Sequence, residues 1–155
     1  MILTIHILVG ALVGVKIHNY WLIVLVALAL HYLLDFVPHK EYSVSALKYP
    51  NFNQNYFRAA TKVLSDLALG FALALWLLKD SPSFRYALVG MGSSLLPDGI
   101  TMFYWSTKIP WLKPIVDFHC ITIHYFKYKK IPLFWRSITQ IIVFIITLFL
   151  LWQAK

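Results

Sequence analysis

Apolar runs of near membrane-span length, broken by short polar connections, constrain this chain more than any other feature. Residues 132–152 contain one charged side chain, Arg136, and residues 21–37 contain one, Asp35. Such runs have two homes, a soluble core or a bilayer. With 155 residues, 60% of them hydrophobic and 13% charged, the chain is too apolar for the first. Soluble domains carry roughly 25% charged residues, and one this small leaves much of its surface in water. A lipid solvent removes the conflict, and a span needs roughly 20 mostly apolar residues. The reading is one all-α domain over residues 1–155, an integral membrane bundle of about five transmembrane helices.

The boundaries follow from the polar punctuation. The first helix covers 2–16, short for a span, and carries the small-residue pair Gly10 and Gly14. That spacing lets another helix approach closely. No basic segment precedes this run and no small-residue cleavage site follows it, so it reads as a helix of the mature protein rather than a signal peptide. The second helix covers 21–37 and stops at Pro38. A polar stretch, 39–58, leads to a third helix over 60–78. Asp80-Ser81-Pro82-Ser83 is a turn signal before a fourth helix at 84–96, with continuation past Pro97-Asp98-Gly99 to 105 as the alternative. Residues 114–130 mix aromatic and basic side chains and read as an interfacial helix before the last span, 132–152.

The charge is +8. The basic residues lie in connections, which points to anionic lipid or phosphate-bearing substrates rather than nucleic acid, for which no module is visible. Ten of the fourteen basic residues fall on one side of the five-span map. The positive-inside rule makes that side cytoplasmic, with the N-terminus inside and the C-terminus outside the inner membrane. The single Cys120 leaves the redox compartment open.

The same side collects His6, His31, Asp35, His39, Asp66, Asp98, Asp117, His119 and His124. That is five of six histidines and four of five aspartates. An Asp inside a membrane helix costs roughly 2.5–3.5 kcal/mol at mid-bilayer, so several imply mutual pairing or a shared cation. His31 and Asp35, four apart, project from one helix face, and His39 follows four later. Nitrogen and carboxylate donors suit one or two divalent ions, zinc foremost, with manganese or iron as alternatives. The candidate metal ligands are His6, His31, Asp35, His39, Asp66, Asp98, His119 and His124. Asp35, Asp66 and Asp98 double as catalytic candidates. On a regular helix His119 and His124 do not share a face, so either the segment is irregular or one of them stays outside. Lys40, Arg58, Lys62 and Arg136 are candidates for neutralising a substrate phosphate.

The segments "HYLLDFVPH" (31–39) and "LLPDG" (95–99), with His6 on the first helix and Phe118-His119 before the last, resemble a family of small prokaryotic membrane-bound metal-dependent hydrolases. The H-x-x-x-D element, His31 to Asp35, is also similar to one in zinc-dependent phospholipase C and P1-nuclease-like enzymes, where it contributes metal ligands. The resemblance implies a hydrolase acting on a phosphoester or lipid-linked substrate at the cytoplasmic face. The chain departs from some relatives in lacking a second acidic residue and histidine after Leu-Pro-Asp, and an H-R-G-x-T-H segment. Two other classes fit the same residues: a small cation or proton transporter or channel, and a non-catalytic membrane scaffold. The polar residues cluster at one face without a trail to the other, which favours the hydrolase over conduction.

Overall fold

The computed structural model describes residues 1–49, 51–125 and 131–154. Among them every regular element is helical. The helices are α1 (Leu3–Lys16), α2 (Tyr20–Phe36), α3 (Gln54–Leu78), α4 (Phe84–Thr107), α5 (Lys113–Asp117) and α6 (Leu133–Trp152). Two single 3-10 turns, Ser45–Lys48 and Pro110–Leu112, and a π-helical turn, Phe118–Ile123, complete the chain.

The helix ends have local causes. Asn19 accepts from the Leu22 N–H and starts α2, while Pro38 bars extension beyond Phe36. Asn53 accepts from the Tyr56 N–H in the same way. It starts α3 six residues earlier than the expected residue 60, and Arg58 becomes helical. The fourth helix runs through Pro97 to Thr107, and Lys108 stops it in the left-handed conformation at φ 56°.

The expected interfacial helix over 114–130 is corrected. Residues 110–123 break into a 3-10 turn, one α-turn and a π-turn, and 126–130, with Lys127, Lys129 and Lys130, lie outside the described residues. Pro114 is at the first turn of α5, where a proline is tolerated, and the regular helix ends at Asp117, where the chain widens into the π-turn from Phe118.

Helix α1 is the centre of the bundle. Ten of its fourteen residues are buried, and it packs on α4, α3, α6 and α2. The α1–α4 crossing is close enough that a Cβ on Gly10 would strike the Gly90 carbonyl oxygen, and one on Gly90 would strike that of Gly10. Gly14 meets the Tyr86 carbonyl likewise. The glycine pair is therefore a backbone contact surface. Around it lie Ile7, Leu8, Ala11, Ala74, Leu78, Met91 and Leu151, all buried.

Two helices, α3 and α6, are long and apolar enough to cross a membrane. Helices α1 and α2 are apolar but shorter, with about 21 and 25 Å of rise against a hydrocarbon core of about 30 Å. The outward face of α6 is bare apolar surface, including Phe134, Ile142, Ile146 and Phe149, each more than half exposed. So large an exposed apolar surface is rare on a soluble monomer.

Candidate metal centre

Asp35, on the last turn of α2, is 2% exposed. Its Oδ1 faces α1, where it contacts the Met1 amino group and His6 Nε2 at 3.0 Å. Its Oδ2 faces three imidazoles: His31 Nε2 at 3.1 Å, His119 Nε2 at 3.3 Å and His124 Nε2 at 3.4 Å. The imidazole nitrogens are also close to one another, His31 to His119 at 3.2 Å and His119 to His124 at 3.3 Å.

The outward nitrogens decide what those inward ones carry. His31 Nδ1 donates to the Ser94 carbonyl oxygen at 2.7 Å. His39 Nδ1 donates to the Val37 carbonyl at 2.7 Å. Thr101 Oγ1 gives its proton to the Pro97 carbonyl and so accepts from His119 Nδ1 at 3.1 Å. His124 Nδ1 donates to Glu41 Oε1 at 2.7 Å. With the Nδ1 proton spent outward, neutral His31 and His119 turn unprotonated Nε2 atoms inward, while His39 turns its Nε2 to Glu41 and His124 competes for a second proton. This is the second-shell pattern that orients histidine ligands toward a cation. Lone pairs at 3.2–3.3 Å repel unless a proton or a metal ion lies between them. Tetrahedral ligation with bonds of about 2.0–2.1 Å places ligand atoms about 3.3 Å apart. The triangle of Asp35 Oδ2, His31 Nε2 and His119 Nε2 has sides of 3.1, 3.2 and 3.3 Å, and His124 Nε2 lies at the same spacing from two of its corners. The donor set fits a divalent ion.

Two groups of potential ligands share Asp35: His31, Asp35, Asp98 and His119, and Asp35, His39 and His124. Asp98 Oδ1 lies 3.9 Å from His119 Nε2, and its side chain is 30% exposed, the opening of an otherwise buried cluster. His39 Nε2 is 3.9 Å from Asp35 and 2.7 Å from Glu41.

The remaining candidates are placed otherwise. Asp66 does not belong to either group. Its carboxylate accepts from the Leu3 and Thr4 N–H groups at 2.7 and 3.1 Å, from Thr4 Oγ1 at 2.5 Å and from Tyr42 Oη at 2.9 Å. It caps α1 from another helix, answering the exposed donors of a helix start. Burial and then the Asp66 charge push the Tyr42 hydroxyl pKa up, so it remains a donor. His6 stands behind Asp35, outside both groups, and among the described residues its buried Nδ1 has no partner. Arg136 donates Nε–H to the His39 carbonyl at 2.8 Å, and Thr139 donates to the Pro38 carbonyl at 2.6 Å, so α6 clamps the turn after α2. Asp117 pairs with Lys113 on the surface. Lys40 is exposed beside His39.

The π-turn resolves the spacing of His119 and His124. Its i to i+5 hydrogen bond, His124 N–H to the His119 carbonyl at 3.3 Å, aligns residues five apart, which an α-turn does not. Glu41 is the residue sequence reasoning missed. It lies within 2.7 Å of both His39 and His124, and its signal is that it is the single glutamate of the chain, two residues after a candidate ligand. Burial opposes a charge on His124, but its hydrogen bonds to Asp35 and Glu41 carry its pKa up to about 9. The carboxylates favour a positive charge at this point, and a metal ion bound by His124 would have to displace its proton.

Comparison with protein-family models, with curated proteins and with solved structures gives no match to this chain.

Proposed function

We propose that this chain is a membrane-embedded, metal-dependent hydrolase acting on a phosphoester, in the form of a lipid or lipid-linked substrate, at the cytoplasmic membrane face. The observation that carries the reading is the set of three Nε2 atoms around Asp35 Oδ2, those of His31, His119 and His124, each with its Nδ1 proton spent outward. Zinc suits that nitrogen-rich set and its spacing. Bound there, a divalent ion supplies Lewis acidity and lowers the pKa of a coordinated water toward about 7. His31, Asp35 and His119 would hold it, with His39 and His124 beside the shared Asp35 toward a second position. Asp98, at the opening, is placed to meet substrate and to accept a proton.

In this reading α1, α2 and α4 also sit in the bilayer, completing a five-span bundle with the N-terminus inside. The short α1 is compatible with this because α2, α3, α4 and α6 surround it, so protein rather than lipid solvates it. Conduction is disfavoured by what lies above the cluster: the apolar layer of Ile7, Leu8, Ala11 and Met91 and the glycine contact separate it from the His18–Ser83 pair at the far end.

The test is elemental analysis of protein purified in mild detergent without chelator, with phosphodiester and phospholipid hydrolysis measured before and after metal stripping and reloading. One or two equivalents of zinc per chain, and activity that leaves and returns with the metal, are expected. Absence of stoichiometric metal refutes the metal centre. Bound metal without hydrolysis refutes the enzyme.

A further inference from the structure

A second polar feature lies on the other side of Tyr42 from the histidines. The chain from 39 to 45 turns His39 and Glu41 toward the cluster and Tyr42 onto Asp66, then lines a groove with Ser43 and Ser45. The opposite wall is the first turns of α3, with Asn55, Arg58 and Lys62, and the groove encloses about 430 Å³.

Two of its polar side chains are cations, and the other three, two hydroxyls and an amide, can donate. Arg58 and Lys62, four apart, project from one helix face and repel each other. Among the described residues Lys79 and Lys113 find carboxylates, in Asp80 and Asp117, while Arg58 and Lys62 do not. Asp66, one turn further along that face, has both oxygens occupied by α1 and Tyr42. Ser43 and Ser45 share one hydrogen bond of 2.9 Å, which leaves a second hydroxyl proton to offer. Asn55 adds an amide in the first turn of a 25-residue helix, where the backbone dipole also favours an anion. Cations and neutral donors arriving from two walls fit an anion with several oxygens, a phosphate, better than a single carboxylate. Tyr49 and Phe52, before α3, and Phe57, in its first turn, are each more than half exposed, as aromatic side chains are at the level of lipid headgroups.

We infer that this groove, built by Ser43, Ser45, Asn55, Arg58 and Lys62, is a binding site for the phosphate of an anionic lipid headgroup. The inference rests on the membrane placement and not on the metal centre.

The test uses the full chain in nanodiscs of phosphatidylcholine with one tenth phosphatidic acid, and native mass spectrometry of the lipid retained. The wild type retains phosphatidic acid in preference. The double variant Arg58→Gln/Lys62→Gln loses about thirtyfold in that affinity, at the usual contribution of a basic residue near an anionic lipid surface. The double variant Lys79→Gln/Arg85→Gln removes equal charge elsewhere and changes it less than twofold. Equal losses in both variants, or no preference in the wild type, overturn the site. Binding of inorganic phosphate or soluble glycerol phosphate as tight as that of phosphatidic acid overturns the lipid assignment. Zinc is measured on the same samples: its absence with the lipid preference intact refutes the metal centre alone, and its retention with the preference lost from Arg58→Gln/Lys62→Gln shows that variant to be folded.

Discussion

Asp35 and Asp66 are both helical aspartates at the same end of the bundle, and they sit in opposite kinds of company. Every partner of Asp66 is an obligatory donor: two backbone N–H groups and the hydroxyls of Thr4 and Tyr42. Apart from the Met1 amino group, the partners of Asp35 are imidazole nitrogens, which can carry a proton or a lone pair. A carboxylate saturated by permanent donors is structural. A carboxylate among groups that can all become ligands is free to share a cation. The burial of an acid is thus less informative than the type of its partners.

The largest effect that would break this comparison is on metal content. Asp35→Asn is expected to weaken zinc binding by more than a hundredfold, because it removes the charge common to both ligand groups, as read by competition with a chromophoric chelator. Equal zinc affinity in Asp35→Asn and wild type would place the two aspartates in one class. Next is pH. His124 has a pKa of about 9, and a metal ion must displace its proton, so zinc affinity should rise about tenfold per unit from pH 7 to pH 9 and level off above. Flat affinity over that range would remove His124 from the ligand set. Glu41→Gln should cost about tenfold in affinity by weakening the hydrogen bond that orients His124, and should shift the levelling point to lower pH. The smallest effect on metal is at Asp66. Asp66→Asn should leave zinc affinity within about threefold while lowering stability by about 1–3 kcal/mol, since an amide cannot accept from all the donors at the start of α1. Denaturant titration in detergent measures the second quantity, and zinc loss without destabilisation would reverse the assignment.

Much of this was legible from local chemistry. The apolar runs, the Pro38 stop and the i, i+4 relation of His31 and Asp35 need no tertiary information, and the structure brings His39, Asp98, His119 and His124 to the same place. What was not legible depends on distant partners. Nothing within a few residues of Asp66 indicates that it caps a helix 62 residues earlier. Glu41 draws no notice in the sequence, because its partner His124 arrives from 83 residues away. The early start of α3 was local, in the Asn53 cap, but the polar composition of 54–59 concealed it. The π-turn was visible only as a misfit, two histidines at a spacing that a regular helix cannot use.

The central position of α1 also has a consequence for biosynthesis. The helix that leaves the ribosome before the others is the one most surrounded by protein in the finished bundle. Its glycine face waits for residue 90, the cap at its start waits for Asp66, and its contact with α6 waits for residues 133–152. Until then α1 needs a temporary host. Translation that stops short of α6 leaves a fragment with an unfinished centre.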